Sequence, residues 1–447
     1  MKDHFSKIGF VLSVAGGAVG LGNAWKFPTM VGTNGGFAFV LLYLLITLTI
    51  GFAIFLAEIL MGKLSRKDPV NAYLSLSPTP KKGKIWKNAG FFTIGGILVL
   101  SFYLVILGWV IRYIFVSLTA LPKDINSARA MFEGFVSGDI LGSIFFFFIG
   151  FAITLFVVSK GVKNGIEKLN VWMMPLLFVM LLGMLIFSST IDGFKDAAKF
   201  LFYMDFSKLN FSVMLDALGL SFFTLCVGIG CIMTYAASMS DETNPIASSL
   251  YIVLINILIA FMMGLIVFTF IFEFNGDPTE QGVGLVFFSL LTLFSNFGIV
   301  GNLLAFLFFV SLFFAGITSA ISMIEPFTFY LVSEYKISRK KALVYIGLAV
   351  FILGCLSILS ISAKFSGLLT FFGKSFFDCL DFLTSNVTLP LGALLTAVFV
   401  GYVMRSELVR GYFEPYMGKC VFKVWFFVLK FVAPFAIVAI VLNQILG

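Results

Sequence analysis

The apolar positions of this chain neither alternate nor follow a single helical face; they fill long stretches that are hydrophobic all round. Eleven such stretches are read, at about 8–31, 37–62, 90–120, 140–159, 167–189, 213–239, 246–273, 301–333, 341–361, 368–404 and 423–446. Each reaches the length of roughly 20 residues that crosses a bilayer as a helix. Hydrocarbon tolerates only helices or closed barrels, because a backbone group without a partner costs several kcal/mol there. Barrel strands alternate and these stretches do not. The expected fold class is therefore an all-α polytopic membrane protein, one transmembrane domain over 1–447. Several stretches exceed the minimum, which implies tilt, kinks or extension past the bilayer.

The polar gaps set an orientation. Lys63, Arg66, Lys67, Lys81, Lys82, Lys84 and Lys87 follow span two; Lys160, Lys163 and Lys168 follow span four. Lys336, Arg339, Lys340 and Lys341 follow span eight, and Arg405, Arg410, Lys419 and Lys423 precede span eleven. All fall on one side, which the positive-inside bias makes cytoplasmic. The N-terminus is expected inside and the C-terminus outside, in a cell (inner) membrane. The first apolar run contains Asn23, Lys26 and Pro28 and reads as a span that stays, not a cleaved signal.

Composition narrows the chemistry. The chain is 447 residues long, 60% hydrophobic and 12% charged, with a mean hydropathy of +1.07. A soluble domain carries about a quarter charged residues. The net charge of +8 is explained by the basic loops, so no nucleic-acid partner is expected. Five cysteines form no CxxC pair and His4 is the single histidine. That excludes a metal knuckle and leaves no histidine catalysis. With no HExxH and no GxSxG, the chain is not read as an enzyme.

The first span is interrupted: Ala15-Gly16-Gly17-Ala18-Val19-Gly20-Leu21-Gly22-Asn23. Each Gly weakens a helix by about 1 kcal/mol relative to Ala. Unwinding frees carbonyls that suit a cation and amides that suit a carboxylate. Span six echoes it with Val227-Gly228-Ile229-Gly230. Five spans separate the two runs, so they enter from opposite faces, the pattern of an inverted repeat with broken helices. A packing face built on Gly16-x-x-x-Gly20 is the competing reading; Asn23 and Lys26 in the same span count against it. Thr318 and Ser319 in span eight either face an ion or bond back to their own helix. Asn256 in span seven is either a ligand or interhelical glue. Glu58, Asp216, Glu325 and Asp381 lie in or near spans and need partners.

Gly16 to Asn23 followed by Trp25-Lys26-Phe27-Pro28 resembles the first helix of the neurotransmitter:sodium symporters. So do Phe222-Phe223-Thr224 with Gly228 and Gly230, and Phe314-Ala315-Gly316-Ile317-Thr318-Ser319. Order and spacing match along almost the whole chain, most like the eleven-span bacterial amino-acid members. The resemblance implies a 5+5 inverted-repeat fold with helices 1 and 6 broken. The first repeat would cover about 8–189, the second about 213–404, and an extra helix about 423–446. It implies two sodium sites. The first would use Ala18, Asn23, Thr224 and Asn256, completed by the substrate carboxylate; the second would use Gly16, Val19, Ala315, Thr318 and Ser319. The substrate would contact Ala18, Leu21, Gly22, Tyr103, Phe223, Thr224, Cys226, Ile229, Ser319 and Met323. Tyr103 would bond its carboxylate and Phe223 would cap it. Lys26 and Asp381 would form the outer gate, and Lys2 or Lys7 with Glu334 an inner pair.

Departures from the family pattern sharpen the expectation. Monoamine members place an Asp where this chain has Gly20, so the substrate must bring its own carboxylate, as an α-amino acid does. The apolar Ile229 and Met323 favour a hydrophobic or aromatic side chain. Leu220 and Ala260 replace the family's Gln and Ser, which argues against chloride dependence. Lys26 replaces an Arg and is a point charge instead of a bidentate fork. His4 stands where the family has Trp. The resemblance thus implies sodium-coupled uptake of a small amino acid by alternating access. An amino-acid sensor derived from a transporter, or an ion channel, are the alternatives. Whether the chain works as a monomer or a homodimer stays open.

Overall fold

The computed structural model describes residues 4–24, 26–202, 206–276, 278–279 and 284–446. Among them, nine helices are long and apolar enough to cross a membrane. These are Phe37–Ser65, Pro80–Val116, Ile140–Ser159, Val162–Ser188, Pro245–Glu273, Ile299–Tyr335, Arg339–Ile361, Phe376–Val403 and Lys419–Leu442. They correspond to spans two to five and seven to eleven. Span one is a pair, Lys7–Ala18 and Leu21–Thr33, bent by 61°. Span six is likewise in two pieces, Phe211–Leu225 and Cys231–Ala237.

Both breaks have local causes. In span one the helix ends at Val19, whose ψ of 98° is extended, after a last bond from Val19 N to Ala15 O of 2.7 Å. In span six the backbone turns left-handed at Cys226, Gly228 and Gly230, with φ of 58°, 90° and 76°. Two of these are glycine, for which positive φ is free of Cβ strain. The loop is also nested against span ten: a Cβ on Gly228 would lie 2.3 Å from Leu389 O. Glu58 of span two closes the break, accepting from Gly228 N at 2.7 Å.

Spans three and eight form the centre. Their most apolar windows are 89% and 78% buried in protein, against 28% for span eleven, which faces lipid. The broken spans lie against this centre.

Three expectations are corrected. The sequence reading starts span ten at 368, but its helix starts at Phe376. Residues 370–375 form a two-stranded hairpin, Thr370–Phe371 with Lys374–Ser375, turning at Phe372 and Gly373 with positive φ. A two-residue turn with both φ positive matches the twist of paired strands. The loop after span two is helical at Pro69–Leu76, capped by Asp68, and span three reaches back to Pro80. Finally, Glu334 does not meet Lys7. It accepts from Lys87 at 2.6 Å and Asn71 at 3.0 Å, while Lys7 pairs with Glu242 at 3.3 Å. Lys2 lies outside the described residues. Glu325 is buried and paired with Arg339, whose Nε also donates to Val158 O at 2.6 Å. Asp216 is exposed and has no ion pair among the described residues.

Candidate functional site

The two breaks meet beside span eight. The Ser319 hydroxyl lies 3.1 Å from Gly16 O, 3.2 Å from Gly17 O and 3.2 Å from Val19 O. One hydroxyl proton can serve only one of three carbonyls. The hydroxyl of the adjacent Thr318 donates to Phe314 O at 2.9 Å or Ala315 O at 3.1 Å. Thus Thr318 does bond back to its own helix, while Ser319 reaches across to span one. Gly16 permits the approach: a Cβ there would lie 2.1 Å from Asn170 Oδ1 and 3.1 Å from Thr318 Cβ. The carbonyls of Gly16, Val19 and Ala315 with these two hydroxyls are hard oxygen donors suited to an alkali cation.

A second polar cluster lies toward span seven. Asn23 Nδ2 donates to Asn256 Oδ1 at 2.9 Å and to Asn256 O at 3.3 Å. Both residues are buried, and Asn23 Oδ1 finds no hydrogen-bond partner among the described residues. An orphaned buried acceptor is costly in an apolar interior. It is an oxygen that a cation could take. Thr224 is tied to the Tyr43 hydroxyl at 3.0 Å and to Ser221 O at 3.3 Å.

Between the clusters is a cavity of about 20 Å³, room for about one water. Ala18, Gly22, Tyr103, Phe223, Thr224, Cys226, Ile229, Ser319 and Met323, named above as substrate contacts, line it, together with Asn23, named above as a sodium ligand. Leu21 does not: its side chain packs beside Gly316, and it contributes only its amide, which donates to the Tyr103 hydroxyl at 3.1 Å. The sequence reading missed Val99 and Leu389, which also line the cavity. They are ordinary apolar residues of spans three and ten, with no polar mark to betray them.

Two sets of contacts flank the cavity region. On one side Lys26 Nζ is 3.7 Å from Asp381 Oδ1 and 4.0 Å from the centroid of the Phe223 ring. On the lysine-rich side, Phe5 N donates to Ser238 O at 3.0 Å and the Phe5 and Tyr235 rings meet at 5.5 Å. Asp241 there accepts from Lys63 at 2.7 Å and pairs with Arg66. The hydrogen bond from Lys63, then the charges of Lys63 and Arg66, hold the Asp241 carboxyl below the usual range, so it stays ionised at neutral pH.

Two expected results follow from this geometry. Gly228→Ala places a methyl 2.3 Å from Leu389 O at a φ of 90°. Overpacking of this kind costs about 1–3 kcal/mol before the strain of positive φ is added. The melting temperature should drop by several degrees, and an unchanged value would refute the tight nesting of the break. Asp241→Asn loosens the lysine-rich side. Cys226, buried at the cavity wall, should then react several-fold faster with a membrane-permeant maleimide, judged against Cys226→Ser.

The chain matches the sequence profile of the sodium:neurotransmitter symporter family over residues 2–131 and 134–447. The chain belongs to that family. It is a multi-pass, sodium-coupled membrane transporter and not an enzyme. It is 35% identical over 445 residues to an uncharacterized sodium-dependent transporter of Bacillus subtilis (strain 168), YhdH, covering 98% of this chain and 97% of that one. A second uncharacterized sodium-dependent transporter, of Haemophilus influenzae, is 31% identical over 449 residues, covering 98% and 97%. Among solved structures, the transporter MhsT in complex with L-phenylalanine superposes with a TM-score of 0.89 at 34% identity, covering 99% of this chain and 100% of that one. The fold is thus the inverted-repeat arrangement with broken helices 1 and 6.

Proposed function

We propose that this transporter couples inward sodium flux to uptake of a hydrophobic or aromatic α-amino acid by alternating access. The observation that carries it is the Ser319 hydroxyl set among three span-one carbonyls, an excess of acceptors that a cation resolves. In this reading one sodium ion sits among Gly16, Val19, Ala315, Thr318 and Ser319. The other sits at Ala18, Asn23, Thr224 and Asn256, its shell completed by the substrate carboxylate. For Thr224 this means trading its bond to Tyr43 for the ion.

Tyr103 and the amides of Leu21 and Gly22 receive the carboxylate, and the carbonyls near Phe223, Thr224 and Cys226 receive the amine. Val99, Ile229, Met323 and Leu389 form the side-chain wall, and Met323 can repack around different shapes. The L-phenylalanine bound by MhsT fits such a wall. A cavity of about 20 Å³ is too small for any amino acid, so the Phe223 ring and Lys26 must move to admit it.

The mechanism is linkage. Sodium orders both breaks, and the carboxylate joins its shell, so each ligand strengthens the other by roughly 1–3 kcal/mol. The outer gate Lys26–Asp381 and the contacts of Phe5, Lys7 and Asp241 then open in alternation. The two repeats, about 8–189 and 213–404, move against each other, with 423–446 as an added helix. The lysine-rich face lies in the cytoplasm of a cell with this protein in its inner membrane, N-terminus inside and C-terminus outside. Ala260 and Leu220 replace the Ser and Gln of the family pattern, which argues against chloride dependence.

A thermal-shift screen of the common amino acids, with sodium or choline, tests the reading. Stabilisation by apolar or aromatic amino acids only when sodium is present is the expected result. Equal stabilisation in choline would overturn it.

A further inference from the structure

Several cations on the lysine-rich face have acidic partners. Lys7 meets Glu242, Lys63 and Arg66 meet Asp241, Lys87 meets Glu334, and Arg339 meets Glu325. One region gathers cations without such partners around a cleft. After span ten the helix Ser406–Phe413 folds back onto the start of span eleven. Its buried Phe413 packs on Trp425 with ring centroids 4.8 Å apart, and Trp425 Nε1 donates to Ala53 O at 3.2 Å. Between this helix and span eleven is a cleft of about 310 Å³, lined by Arg410, Glu414, Met417, Lys419, Phe422 and Lys423.

The charges in the cleft do not cancel. Arg410 and Glu414 are 4.0 Å apart, at the limit of an ion pair. Lys419 and Lys423 have no carboxylate within 4.0 Å among the described residues. Three cations against one carboxylate leave two positive charges in excess. The cleft also sits where the membrane begins: Lys419 opens span eleven, and Val421, Val424 and Phe427 beside it are exposed apolar residues. About 10 Å further along the helix, Lys430 lies over the Tyr402 ring at 4.8 Å, again without a carboxylate within 4.0 Å among the described residues.

We propose that this cleft binds the phosphodiester headgroup of an anionic phospholipid, with Arg410, Lys419 and Lys423 on the phosphate and Met417 and Phe422 against the start of its acyl chains. Guanidinium and ammonium groups make charge-assisted hydrogen bonds to phosphate oxygens. Basic clusters at the edge of a membrane helix concentrate anionic lipid, because the lipid delivers its charge at that depth. A zwitterionic lipid brings its own ammonium against three cations and is disfavoured. A soluble anion lacks the chains that cover Phe422 and the exposed flank of span eleven. Lys430, deeper in the apolar belt, extends the attraction toward the glycerol level, its long stem reaching back to the boundary.

The test is thermal unfolding of the purified full-length protein in a neutral detergent with phosphatidylglycerol, phosphatidylcholine or inorganic phosphate added. Phosphatidylglycerol should raise the melting temperature by several degrees and the other two should not. Lys419→Gln combined with Lys423→Gln should lose most of that shift. The distant pair Lys81→Gln with Lys82→Gln should keep it. Glu414→Gln, which removes the opposing charge, should enlarge it. An equal shift with phosphatidylcholine, a shift reproduced by inorganic phosphate alone, or a full shift in the Lys419/Lys423 variant would each overturn the proposal.

Discussion

Sodium-driven uptake falls about 10- to 100-fold when Thr318 or Ser319 is replaced by Ala. A hydrogen bond or ligand contact to a charged group is worth about 1.5–3 kcal/mol, and each 1.4 kcal/mol is about tenfold in an equilibrium constant. Both hydroxyls belong to the proposed second ion shell, and Ser319 is the larger loss because it also lines the cavity. Ser319→Ala leaves the carbonyls of Gly16, Gly17 and Val19 facing a methyl. For Thr318→Ala, folding is not the explanation for the loss. Thr318 bonds only its own helix carbonyls, which keep their backbone donors when the hydroxyl goes. The melting temperature without sodium should therefore be close to wild type, while the stabilisation that sodium confers disappears. Retained sodium stabilisation in both variants would place the ion elsewhere.

The second large effect concerns Gly20. A Cβ there would stand 2.8 Å from Ser319 Oγ and 3.0 Å from the Tyr103 hydroxyl, so any side chain enters the space proposed for the substrate carboxylate. Gly20→Asn and Gly20→Asp share a shape and differ by one charge. Two carboxylates about 4 Å apart repel by roughly 4 kcal/mol at an effective dielectric constant near 20. Neighbouring sodium screens part of this. The Asp variant should still bind its amino acid at least about 30-fold more weakly than the Asn variant. A decarboxylated amine such as phenethylamine should show the opposite order. If Asn and Asp variants bind the amino acid equally, no substrate carboxylate lies near Gly20.

The parts of this molecule that were legible in the sequence are those where physics leaves little choice. Apolar runs long enough to cross a membrane have few alternatives, and nine of the eleven read in the sequence are continuous helices. The Gly-rich runs in spans one and six announced both breaks: glycine weakens a helix in either span, and in span six Gly228 and Gly230 take φ of 90° and 76° without strain. The contact of Lys26 with Asp381 was implied by the family resemblance and not by the residues alone. What was not readable depends on register between distant spans. Nothing in the chain around Val99 or Leu389 distinguishes these cavity residues from dozens of other apolar positions. The pairing of Lys7 with Glu242, and of Glu334 with Lys87, depends on how span ends are staggered. Leu21 was read as a substrate contact, and the orientation of its side chain toward Gly316, which leaves only its amide at the cavity, could not be read from the chain. The role of Glu58 was likewise a blank acid in the sequence until the fold brought Gly228 N to it.

The most direct test of sodium-coupled amino-acid uptake uses the purified protein in liposomes loaded with potassium buffer. Radiolabelled L-phenylalanine, or the best stabiliser from the thermal screen, is added outside with either sodium or choline. Accumulation above the external concentration with sodium, collapsing when the gradient is dissipated, is the predicted result. Uptake that is the same in choline, or sodium-dependent binding without any accumulation or counterflow, would contradict it.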